Sequence, residues 1–193
     1  MKKYTLSEID KMLGRLKENN QIRSCKGQKV RDSWYTAQFC RFHGWLNAEI
    51  SVPEKETGDD AVVHYQDNKY PFQAVQVCPD DFRVKELSPL TGDDKDIRNF
   101  VTQAIELLVD QKTDHTYANP ENMNLLVYCN GDIVGAHIHI DIEAYFDQKV
   151  LENKYSDSKF STISVLFDKL NNKGLYEVLF LKGQLEDLAT LSH

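Results

Sequence analysis

No uninterrupted apolar run in this chain reaches the length of a membrane span, and a membrane partner is therefore not expected. The start, MKKYTLSEIDKML, carries two lysines but then mixes charges into an amphipathic pattern. It lacks the apolar stretch of a signal peptide, so the expected location is cytoplasmic. The four cysteines, Cys25, Cys40, Cys78 and Cys129, lie far apart and form no Cys-x-x-Cys pair. A cysteine-built zinc site and a disulfide framework are both disfavoured, and the thiols are read as reduced and mostly buried. Basic excess is absent too: the formal charge is -7, which argues against a whole-protein field for nucleic acid but leaves room for a local patch. There is no Gly-x-Ser-x-Gly elbow, phosphate-cradling glycine loop or dinucleotide fingerprint. Repeats and Pro/Gly-rich linkers are also missing, so residues 1–193 are read as a single domain.

What is present is an alternation of helical and extended patterns. Residues 5–18 place Leu6, Ile9, Leu13 and Leu16 at helical spacing behind Thr5 or Ser7 as a cap. A second helix is expected from Val30 to His43, with Val30, Trp34, Ala37 and the Phe39/Phe42 pair on one face and Gly44 as its stop. The basic stretch Lys26-Gly27-Gln28-Lys29 before it reads as a turn. Trp45 to Val52 reads as extended. Two strands, Ala61–Gln66 and Tyr70–Val77, are joined by Asp67-Asn68-Lys69 as a hairpin. Lys95 to Lys112 carries one apolar stripe behind an aspartate cap, Asp93 or Asp94. Asn124 to Tyr128 is a near-continuous apolar run, typical of a strand covered on both faces. Ile133 to Glu143 alternates as a strand would. A short helix is expected at 144–153, strands at 160–167 and 175–181, and a helical tail from Gln184. The fold class is thus α/β: a mixed central β-sheet flanked by helices.

The informative segment is GDDAVVHYQDNKYPFQAVQV, residues 58–77. With the preceding helix and the crossover helix that follows, it resembles the restriction-endonuclease-like, or PD-(D/E)xK, nuclease superfamily. The resemblance covers Val30 to Tyr128, with 129–193 as C-terminal strand and helix additions. It implies a Mg2+-dependent hydrolase cutting phosphodiesters in nucleic acid, in which an acid on one strand and an acid-x-lysine on the next hold the metal. Asp60, with Asp59 as its alternate, stands at the leading acid. Gln73 stands where the second acid belongs and Val75 where the lysine belongs, with Gln76 as a nearby polar group. Glu49 is the expected upstream carboxylate, and Gln103 sits on the crossover helix. Small nucleases of this type often act as homodimers.

The third strand departs from the pattern. An amide oxygen can ligate a hard cation but brings no charge. A catalytically silent binding or regulatory protein on the same scaffold, with a protein partner, is therefore the alternative. Asp59 and Asp60 follow Gly58, and aspartate also favours turns. Gln73 and Gln76 lie three positions apart, on opposite faces of a regular strand unless a bulge intervenes. A third reading starts from GAHIHIDIE, residues 135–143. As a strand it would put His137, His139, Asp141 and Glu143 on one face, where one or two could chelate a metal with His64 or His115. A half-exposed strand with a wet outer face explains the same alternation.

Overall fold

The structure, a computed structural model, describes residues 2–19, 25–52, 59–77, 94–117, 119–129, 136–168 and 176–183. Seven strands form one mixed sheet in chain order: β1 (Lys3–Thr5), β2 (Glu49–Ser51), β3 (Ala61–Tyr65), β4 (Asn68–Val77), β5 (Asn124–Cys129), β6 (Thr162–Asp168) and β7 (Tyr176–Lys182). Pairing is antiparallel from β1 to β4, parallel for β4–β5 and β5–β6, and antiparallel for β6–β7. The α-helices among the described residues are α1 (Leu6–Glu18), α2 (Cys25–Phe42), α3 (Asp94–Asp114) and α4 (Ala136–Leu151). None is long and apolar enough to cross a membrane.

Local chemistry sets the element ends. Thr5 caps α1 by a capping box, its side chain accepting from the Glu8 N–H while the Glu8 carboxylate accepts from the Thr5 N–H at 2.8 Å. Gly44, at φ +71°, ends α2 in a Schellman arrangement: its N–H donates to Arg41 O and the Trp45 N–H to Cys40 O. Gln66 and Asp67, both at positive φ, make the two-residue turn between β3 and β4, one position before the expected joint.

Two parallel joints demand crossovers, because a hairpin cannot return a strand to the same direction. Helices α3 and α4 lie in those connections and pack on one sheet face. Phe100, Val101, Ile105, Ile142 and Phe146 meet Leu125, Val127 and Val165 there. On the other face, Leu6 and Ile9 of α1 and Tyr35, Ala37 and Phe39 of α2 cover Val63, Phe72, Leu126 and Tyr128. Strand β5 thus feeds both cores, which is the reason for its unbroken apolar sequence. Asp10 ties α1 to α2, accepting from Trp34 Nε1 at 2.9 Å and from Arg41 at 2.6 Å.

Four expectations need correction. Residues 136–143 are the first half of α4, not a strand. The crossover requirement and the spacing of Ile142 and Phe146, both fully buried, override the short Ile-x-Ile alternation. The short helix expected at 144–153 is the rest of the same element. Lys26-Gly27-Gln28-Lys29 belongs to α2 rather than to a turn. Phe42 is 47% exposed, because Gly44 stops the helix just where that residue leaves the sheet. The edge strand β1 had no signal in the sequence. Residues 53–58 and the helical tail expected from Gln184 lie outside the described residues.

Candidate functional site

The site forms where β3 gives out before β4 does. β3 pairs with β4 only over 61–65 against 68–72, while β4 continues to Val77 beside β5. At the parting point the Asp60 N–H donates to Phe72 O at 2.8 Å. The Asp60 carboxylate then takes over the exposed edge of β4. Its Oδ2 accepts from the Ala74 N–H at 3.0 Å and from the Gln73 side-chain amide. A carboxylate replaces a strand neighbour here, leaving a notch in the sheet with an acid at its rim.

Helix α2 brings a second acid. Asp32 is 3% exposed and accepts a 2.6 Å hydrogen bond from the Tyr128 hydroxyl of β5, whose ring stacks on Tyr35 at 3.9 Å. Burial pushes the Asp32 carboxyl up to about 7; the Tyr128 hydrogen bond opposes that rise, the Asp60 charge adds to it, and Arg31 and Lys112 oppose it. Asp60 is also raised, first by burial. The Ala74 N–H and the charges of Lys112 and Lys29 pull it down, and Asp59 pushes it up. Lys112, in the last turn of α3, therefore acts on both acids. Tyr117, just beyond α3, has a buried hydroxyl with no hydrogen-bond partner among the described residues, and burial with the Asp60 charge raises it to about 12.

The arrangement is two acids from different elements, Asp32 buried and Asp60 half-buried at the sheet notch, with the Asp60 charge felt at Asp32 and the Lys112 charge at both. Removing such acids from water without full compensation is unfavourable, and a bound cation would relieve it. Among the described residues no group of three or more His, Cys, Asp or Glu is placed to hold a metal ion. The oxygen donors near the notch are the Asp60 carboxylate and the Gln73 amide, with the Asp32 carboxylate on α2 beyond them. That suits Mg2+, which typically takes one or two carboxylates and leaves its other positions to water and phosphate.

Of the residues singled out from sequence, the structure brings Asp60 and Gln73 together, with Asp59 near enough to affect Asp60. Gln76 is in register with Tyr128, on the face turned to α2. The β4–β5 register runs unbroken through 73–76, so no bulge turns both glutamines to one side. Val75 packs against the core under α3 and α4. Glu49 is elsewhere: it pairs with Lys3 at 3.4 Å and stands across from His64, four strand residues or about 13 Å from Asp60. Gln103 is exposed on α3, and His115 stacks edge-on with Tyr117. His137 and His139 lie on α4, and positions two apart on a helix are separated by about 200° around its axis. The common strand face that would have joined them to Asp141 and Glu143 does not exist.

Asp32 and Lys112 were not anticipated. Asp32 had a signal: it precedes Phe39 by seven residues and Tyr35 by three, so it falls on the buried stripe of α2. Lys112 had none, since its role depends on where α3 ends relative to β4. No family model matches this chain, and neither a curated protein nor a solved structure is significantly similar to it.

Proposed function

We propose that this protein is a metal-dependent phosphodiesterase acting on nucleic acid, with Asp32 and Asp60 as its acids, Gln73 as a neutral ligand and Lys112 as its cation. The reading rests on the Asp60 carboxylate held at the β3–β4 notch by Ala74 and Gln73, whose charge is felt by the buried Asp32 of α2, with the Lys112 charge acting on both. The element order supports it: a helix, an antiparallel meander, a crossover helix and a parallel strand are what the resemblance to restriction-endonuclease-like nucleases implies.

A Mg2+ ion bound there would supply charge for the phosphate and an activated water. The protein's part is positioning and field. The Ala74 N–H fixes Asp60 at the rim, and the Tyr128 hydroxyl fixes Asp32. Lys112 offers positive charge to the phosphate, the role left vacant by Val75 on β4. Burial around the acids lowers the local dielectric and strengthens each of these interactions.

Nicking of plasmid or single-stranded DNA with Mg2+ or Mn2+ tests the proposal. Activity should vanish in Asp60→Ala and in Asp32→Ala while the fold is retained. A folded protein that cuts neither DNA nor RNA with either ion refutes it. A second reading is favoured by one observation: the Asp60 carboxylate is engaged within the protein by the Gln73 side chain and the Ala74 N–H. On that reading the protein is a catalytically silent binding module. It predicts that Asp60→Ala lowers stability and that divalent ions leave the melting temperature unchanged.

A further inference from the structure

A second concave feature lies at the turn end of the β3–β4 hairpin, away from the notch. It is a cavity of about 460 Å³ lined by Lys3, Asn47, Glu49, His64, Lys69 and the turn between β3 and β4. Four strands contribute to it from one sheet face: Lys3 from β1, Glu49 from β2, His64 from β3 and Lys69 from β4. Glu49, His64 and Lys69 are direct cross-strand partners. The volume falls within the range of small-molecule sites.

The histidine is fastened. Its Nε2 lies 2.7 Å from the hydroxyl of Ser51, which is 1% exposed. The other ring nitrogen, Nδ1, has no partner among the described residues. The Lys69 ammonium likewise forms no ion pair among them. Lys3 holds Glu49 at 3.4 Å with both side chains nearly half exposed, a pair that a better anion can displace at little cost. Burial lowers the His64 imidazole, and Lys3 and Lys69 lower it further against the opposing charge of Glu49. Asp67 of the turn also lines the cavity, but at the ring itself Lys3 and Lys69 act against Glu49 alone.

We propose that this cavity binds a phosphate group, with Lys3 and Lys69 as its cationic walls and His64 as a fixed hydrogen-bond partner. The cavity exceeds inorganic phosphate in size, so the group is carried on something larger: a free nucleotide or a nucleic-acid strand. The two sources share the chemistry that Lys3, Lys69 and His64 recognise. The site stands about 13 Å from Asp60 along β3, and phosphate binding here does not require cleavage there.

The test is the pH titration of His64 followed by NMR, without ligand and with inorganic phosphate, adenosine monophosphate or a short oligothymidylate at matched ionic strength. A bound dianion favours the imidazolium, so the His64 midpoint should rise by about one pH unit and saturate. The rise should disappear in Lys3→Gln/Lys69→Gln and persist in Asp60→Ala. Stronger saturation by the mononucleotide identifies a nucleotide site, and stronger saturation by the oligonucleotide a strand track. No saturable rise with any of the three, or a rise that survives loss of both lysines, overturns the proposal. Loss of nicking activity alone would leave it standing.

Discussion

The Tyr128 hydroxyl donates a 2.6 Å hydrogen bond to the Asp32 carboxylate, linking β5 to α2 across 96 residues of chain. Both partners are buried. The bond opposes the rise that burial imposes on Asp32. Tyr128→Phe should therefore push the Asp32 carboxyl higher still and cost about 1–3 kcal/mol, the penalty for a buried acceptor left without its donor. The loss should be largest above pH 7, where Asp32 is charged. Urea denaturation of both proteins at several pH values checks this.

Asp32 itself makes stability depend on pH with a definite sign. Its folded-state pKa of about 7 lies above the ordinary 3.8, so between those values the folded protein holds a proton that the unfolded chain has released. Stability should fall as pH rises through that window and level off above about 7. Asp60, also raised, acts in the same direction. Asp32→Asn should flatten the profile and be the more stable protein at neutral pH, by up to a few kcal/mol. A wild-type profile that rises over the same window would contradict the assignment of Asp32 as a buried acid above its usual range.

Restoring a carboxylate at Gln73 separates a metal site from an ordinary polar contact. In Gln73→Glu the amide donor to Asp60 is lost and a like charge takes its place. The apo protein should lose about 1–3 kcal/mol. Mg2+ should recover that loss in a concentration-dependent way, raising the melting temperature more in the variant than in the wild type. Thermal melts over a Mg2+ series decide it, and a variant destabilised equally at every concentration would count against a cation site.

Lys112 draws both acids down. Lys112→Gln should raise the pH at which Asp32 and Asp60 ionise and lower nicking on the order of 10²-fold, while the half-exposed position keeps the fold intact. Carboxyl-carbon NMR titration reads the first effect and plasmid nicking the second. Carboxyl midpoints left unmoved would remove Lys112 from the site.

The helical reading of α4 can be tested by truncation. Phe146 is fully buried, whereas Leu151 at the end of the same helix is 82% exposed. Phe146→Ala should cost about 3–5 kcal/mol and Leu151→Ala close to nothing. Guanidinium denaturation distinguishes them.

Patterns that repeat within a few residues were readable from the chain alone. The α1 cap at Thr5, the Gly44 stop, the β3–β4 hairpin and the doubly covered β5 all rest on local spacing or local backbone geometry. The α/β class follows from the same level. The pairing of Asp60 with Gln73 does not: a turn at 67–69 would set Asp60 opposite Gln76, and the turn at Gln66-Asp67 brings it to Gln73 instead. Residues 136–143 were not readable in this way. Their alternation fits a strand, and only the parallel pairing of β5 with β6 requires a crossover there. Nor did the chain reveal that Glu49 would pair with Lys3 far from Asp60, or that Asp32 of α2 and Lys112 of α3 would lie within range of its charge. Those positions depend on how helices seat on a sheet, and that is settled by the packing of side chains distant in sequence.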